Sequence, residues 1–117
     1  MVAGYTSMIE IERPVITRDS YGNDVIDWDD AELTPVPLPV SMQPLSQTES
    51  GENEFRQTVT TGYRVISQAG VDIDVLDTDR VRWAGQSYDV TQIGRWPHPM
   101  ILNAVHHIEI QLEKVTG

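Results

Sequence analysis

The sequence predicts an all-β domain: a small antiparallel β-barrel or sandwich of about six to seven strands, with one long loop protruding between two of them. The reasons are threefold. Apolar and polar residues alternate in short segments along the whole chain, amphipathic helical periodicity is scarce, and eight glycines and seven prolines interrupt the 117 residues at short intervals. This length suits one domain, residues 1–117. A chain of this size buries roughly 65% of its unfolded surface, enough for a core without covalent staples.

Residues 8–12 (MIEIE) alternate apolar and acidic side chains, the pattern of a strand with one buried and one wet face. Residues 19–24 (DSYGND) concentrate turn formers, with Gly22 and Asn23 tolerant of positive φ, and join two antiparallel strands; the return strand, 25–29, carries Trp28. Residues 34–40 (TPVPLPV) place proline at every second position, so one edge of the segment donates no hydrogen bonds, which fits an edge strand or an extended connector. Residues 44–54 (PLSQTESGENE) hold one large apolar residue, Leu45, and read as a long loop at the tip of an oversized hairpin. Residues 55–67 follow as a long strand with a bulge or bend at Gly62. Residues 71–79 form an acidic, solvated turn. Residues 80–83 and 88–93 flank the tight turn 84–87 as a hairpin. The WPHP run at 96–99 is a connector, because proline pushes the residue before it into extended backbone. Residues 100–104 suit a short helical turn, and 106–113 alternate again as the closing strand.

Charge narrows the function. Eighteen acids against eight bases give a formal net charge of −10, with Lys114 the single lysine. Residues 1–54 hold eleven acids and two bases, and residues 55–117 seven acids and six bases, so −9 sits in the first part and −1 in the second. Such a surface repels phosphate and argues against nonspecific nucleic-acid binding. With no cysteine there is no disulfide framework, thiolate nucleophile or zinc-thiolate site, which favours assembly in a reducing cytoplasm. No apolar run approaches the roughly 20 residues that span a bilayer, and residues 1–12 lack the parts of a signal peptide, so no membrane partner is expected.

No constellation of catalytic or cofactor-binding residues emerges, and no cofactor is expected. Asp72, Asp74, Asp77 and Asp79 lack the glycine turn and the bidentate glutamate of a calcium loop, and Asp24 stands where a loop beginning at Asp19 would require glycine. His106 and His107 are adjacent on a strand, so their rings should point to opposite faces and not share a metal. His98 lies between two prolines with no triad partner at a motif spacing, and phosphate loops, nucleophile elbows and HExxH are absent. Trp28, Trp83 and Trp96 are expected to anchor the core or an interface, with an exposed sugar-binding stack as the sharper alternative.

Three groups of residues, in this order, resemble the head-closure, or head-to-tail stopper, family of long-tailed bacteriophages. They are Ile11-Glu12-Arg13-Pro14 leading to Asp19-Ser20-Tyr21-Gly22-Asn23 and Trp28, the hairpin Asp79-Arg80-Val81-Arg82-Trp83-Ala84-Gly85-Gln86-Ser87-Tyr88-Asp89-Val90, and the closing His107-Ile108-Glu109-Ile110. The resemblance implies a non-enzymatic small β-barrel in the virion neck, made in the host bacterial cytoplasm. It assembles as a homo-oligomeric ring, usually a dodecamer, below the portal and adaptor, with the tail terminator or tail tube beneath. A long inter-strand loop reaches into the channel and helps retain packaged DNA, which passes the lumen without sequence-specific binding.

The segment matching that loop in position is Leu45, Ser46, Gln47, Thr48, Glu49, Ser50, Gly51, Glu52, Asn53 and Glu54, although its few β-branched residues depart from a neatly paired plug. The candidate ring or docking surface is Pro35, Pro37 and Pro39 together with Trp96, Pro97, His98 and Pro99. An acidic lining suits a channel that DNA must traverse, since a basic one would trap phosphates. The competing readings are a tail terminator or other neck-ring protein and, from a different class, a monomeric carbohydrate-binding or hydrolytic β domain.

Overall fold

A computed structural model describes residues 4–49 and 57–115. Seven strands form one antiparallel sheet: β1 (Glu10–Arg18), β2 (Asp24–Pro35), β3 (Ser41–Glu49), β4 (Gln57–Ile66), β5 (Arg80–Trp83), β6 (Gln86–Pro97) and β7 (Val105–Lys114). Their spatial order is β2-β1-β5-β6-β7-β4-β3, and no helix occurs among the described residues. The ladder does not close into a complete barrel. At one end, however, Ser7 and Val40 exchange backbone hydrogen bonds, and the Val36 amide donates to the Ile9 carbonyl, so the segments entering β1 and β3 are stitched together.

The alternation read in the sequence builds the core. Ile9 leading into β1, Ile11 of β1, Val81 of β5, Tyr88 and Val90 of β6, Val65 of β4 and Ile108, Ile110 and Leu112 of β7 all turn inward. Burying each such side chain contributes about 1.5–3 kcal/mol. Val36 and Val40 of the proline-alternating segment join them, so residues 36–40 are an extended connector that seats every fourth residue in the core while Pro37 faces out. The β5–β6 hairpin turns through Ala84 and Gly85, both at positive φ (52° and 79°), as a two-residue hairpin turn requires.

Two sequence expectations are corrected. Pro44 to Glu49 are not loop but the outer half of β3, paired with β4 from Pro44↔Tyr63 to Glu49↔Gln57. Their composition is poor in strand formers, but pairing to a Thr- and Val-rich partner overrides it, and as an edge strand β3 tolerates the missing N–H of Pro44. Residues 50–56, the rest of the expected loop, lie outside the described residues. Residues 98–104 form bends and turns without a helix.

Candidate functional site

Strand directions place two hairpin arms at opposite ends of the sheet. Because β1 pairs antiparallel with β5, and β5 with β6, β1 and β6 run the same way; β4 also runs this way, through β7. The β1–β2 hairpin therefore turns at one end and the β3–β4 hairpin at the other. Both outgrow their neighbours. Among the described residues, β5 pairs with only Glu10, Ile11 and Glu12 of β1, leaving Val15–Arg18 bonded to β2 alone, and β7 pairs with β4 only from Gly62 to Ile66, leaving Gln57–Thr60 bonded to β3 alone. Four residues rise about 13 Å, so each arm stands out from the sheet by roughly that much before its tip.

Both arms depart at a break in the ladder. In β1 the break is at buried Pro14, which has no N–H to donate; the register jumps from Arg13↔Glu32 to Val15↔Asp27, and Trp28 of the bulged β2 stretch lies over the Arg80 guanidinium at 3.9 Å. In β4 the break follows Gly62, where Leu45↔Gly62 gives way to Ser46↔Thr60. A Cβ at Gly62 would sit 1.8 Å from the Leu112 carbonyl oxygen, so only glycine lets β4 approach β7 at the base of the arm. The tip of the first arm is fixed by Asp19, whose Oδ1 accepts the amides of Tyr21 and Asn23 at 2.9 Å each while Gly22 takes positive φ.

Between the outer parts of β1 and β6, where β5 is too short to reach, the chain of 71–79 fills the gap. Ile73 and Val75 drop into the core, and the alternate aspartates meet one arginine from each flanking strand. Arg13 donates through Nε (3.1 Å) and Nη2 (2.9 Å) to the two carboxylate oxygens of fully buried Asp79, with Asp74 at 3.5 Å from its Nη1. The hydrogen bond to Asp79 raises the Arg13 pKa further above its already high value, against the opposing pull of burial. Arg95 reaches from β6 to Asp72 at 3.1 Å and to the Ile73 and Val75 carbonyls. The expected solvated turn is thus a clamped connector, with Asp72, Asp74 and Asp79 engaged by arginine.

At the same end as the first arm, the β6–β7 connection presents an apolar tip, with Met100 86% and Leu102 89% exposed. His98 holds it in shape, because its Nδ1 accepts the amides of Met100 (3.0 Å) and Ile101 (3.1 Å). Trp96 stacks on His107 and donates its indole N–H to Glu109. His106 and His107 touch through their Nδ1 atoms at 2.9 Å, contrary to the expectation of opposite faces. The reason is a bulge: Trp96 pairs with His107 and Pro97 with Val105, so His106 is the extra residue and the strict alternation fails there.

The structure divides the expected docking residues among three surfaces and leaves Pro39 in none of them. Pro35 and Pro37 line a cleft of about 330 Å³ with Ile11, Val36, Val71 and Ile73, rimmed by Glu32, Asp72 and Asp74. Pro39 is half-buried, its carbonyl accepting from Gln68 at 3.0 Å. Trp96 and Pro97 border a second groove of about 600 Å³ with Arg64, Gln92, Gly94, Arg95, Glu109 and Gln111, while His98 and Pro99 belong to the tip. Of the tryptophans, half-buried Trp83 packs against the core with Tyr63 and Tyr88, Trp28 covers Arg80, and Trp96 is 52% exposed. Sequence reasoning missed the roles of Arg13 and Arg95, whose partners lie 66 and 23 residues away; the one available signal was alternation of aspartate with Val and Ile in a segment too polar for a core strand.

Comparison with known proteins agrees with this architecture. The fold matches the solution structure of protein SF1141 from Shigella flexneri 2a, with a TM-score of 0.54 at 17% identity over 97% of this chain and 96% of that one. It also matches a chain from the virion of a native gene transfer agent particle, with a TM-score of 0.51 at 15% identity over 96% of both chains. No curated protein is similar enough in sequence to match. Residues 3–99 match the family model described as phage head completion protein, and the chain therefore belongs to that family.

Proposed function

We propose that the protein is the stopper ring of a phage neck, a homo-oligomer, dodecameric in the form the resemblance implies, seated below the portal and adaptor and above the tail terminator or tail tube. Membership of the head completion family makes its role structural, in the head of the virion. The observation that carries the finer reading is the pair of arms leaving one sheet in opposite directions. A subunit built this way reaches a ring above and a ring below, or a ring and the lumen, without changing its core. The β3–β4 arm is the channel element: it corresponds to the segment Leu45 to Glu54, whose Glu49, Glu52 and Glu54 bring like charge to a passage for DNA. Crowding of these carboxylates in a ring favours a gate that retracts. The Pro35–Pro37 cleft and the His98–Pro99 tip are the docking surfaces for neighbouring neck proteins.

The test is to shorten the arm in register. Gln47 pairs with Val59, so replacing residues 48–58 by a two-residue Asn-Gly turn preserves the ladder while removing the tip. Particles carrying this variant are expected to assemble the ring and then lose packaged DNA before tails attach. Full retention of DNA and infectivity would show the arm to be a docking element only, and would favour the tail-terminator reading.

A further inference from the structure

We propose that the β1–β2 arm of one copy packs onto the Arg64–Gly94–Trp96 groove of the next, making the ring contact heterologous and head-to-tail. The inference rests on the ring reading only for its expectation that copies associate. On the arm, Ile16 and Ile26 stand directly opposite each other and are 50% and 51% exposed, an apolar pair on a two-stranded ribbon that has no sheet neighbour of its own. Two-stranded ribbons are marginal in water, so an exposed apolar face on one implies a covering surface. The arm is also strongly acidic. Residues 14–32 contain six acids and one base, a net −5.

The surface that complements it lies in the second half of the same sequence. Six of the eight bases fall within residues 55–117. Arg64 of β4 borders the groove and forms no ion pair among the described residues, whereas the Arg95 guanidinium is taken up by Asp72 and Glu109 by the Trp96 indole N–H. Gly94 leaves a trough there, since a Cβ at that position would find nothing nearer than the Trp96 indole nitrogen at 3.8 Å. An Ile pair seats against the Trp96 ring in this trough while the arm's carboxylates meet Arg64. The arm does not reach its own groove, because it leaves the sheet from β1 and β2, on the other side of β5. A patch and its complement on different parts of one chain generate rings when the rotation closes, whereas a two-fold contact would need one self-complementary patch.

The chain has no cysteine, so cross-links report only what is introduced. Ile26→Cys and Gln92→Cys are both at exposed positions. Under mild oxidation the doubly substituted full-length protein is expected to give a ladder of covalent multimers, an equimolar mixture of the two single variants to give heterodimers, and each single variant alone to stay unlinked. Arg64→Glu in the cysteine-free chain is expected to move the monomer–oligomer midpoint, read by native mass spectrometry, to at least about tenfold higher concentration, with the wild-type midpoint itself rising with salt. Oligomers that form normally without arm–groove cross-links would overturn this interface and leave the ring reading standing. A wild-type chain that stays monomeric at every concentration would overturn both.

Discussion

Arg13 and Asp79 show how a single pair joins distant parts of this chain. The carboxylate of Asp79 is out of contact with water and takes two hydrogen bonds from Arg13 and a third, at 2.8 Å, from the Leu76 amide. Removing Arg13 leaves that charge buried with one donor. Arg13→Ala is therefore expected to cost about 2–3 kcal/mol in a urea titration, below the figure for a fully enclosed pair because the guanidinium is itself partly in water. A substitution at exposed Arg18, whose contact with Asp24 is 3.8 Å long, should change stability by less than about 0.5 kcal/mol and serves as the control. Tyr88 makes a pH prediction. Burial, reinforced by Tyr63, raises its phenol pKa above the ordinary value of about 10. A folded value above the unfolded one means that the folded state holds the proton more firmly. The corresponding stability is complete below about pH 10 and is lost as pH rises through the folded value. Tyr88→Phe keeps the ring contacts with Tyr63 and Trp83 and is expected to flatten the fall in thermal midpoint above pH 10, with little change at pH 7.

At the level of elements, the arms depend on the breaks from which they spring. Gly62→Ala drives a methyl group into the Leu112 carbonyl at the point where β4 leaves β7, and the obstacle is backbone, which cannot swing aside. The expected loss is about 3 kcal/mol or more, with hydrogen exchange accelerated in β4 and β7 before the β5–β6 hairpin opens. Equal protection of all strands in the variant would contradict this. The same elements show what was legible beforehand. The β5–β6 hairpin and the Asp19–Asn23 turn were readable because their determinants, an Ala-Gly pair at positive φ and an aspartate capping its own turn, lie within a few residues of one another. The Gly62 irregularity was readable as a glycine inside a β-branched run. Residues 44–49 were not, because their strand conformation is imposed by β4 and not by their own composition. The contact of His106 with His107 escaped for the same kind of reason, since a bulge is a property of the pairing and not of either strand.

The whole molecule measures 55 × 43 × 25 Å along its principal axes, a flattened body. Its charge is arranged to match. The acidic excess lies in the first 54 residues, which supply β1, β2 and β3 and hence both edges of the sheet, whereas β4 to β7 in the middle carry most of the bases. The all-β class and the strand count were visible in alternation and turn spacing, and the family resemblance in three groups of residues and their order. The position of the two arms was not, because it follows from strand order, and strand order depends on pairings between residues far apart in sequence. The most direct test of a neck stopper uses heads made without this protein. They are expected to fill with DNA, lose it on release, fail to join purified tails, and recover tail joining when the purified wild-type protein is added back. Heads that lack the protein yet keep their DNA and join tails at wild-type efficiency would contradict the proposed function.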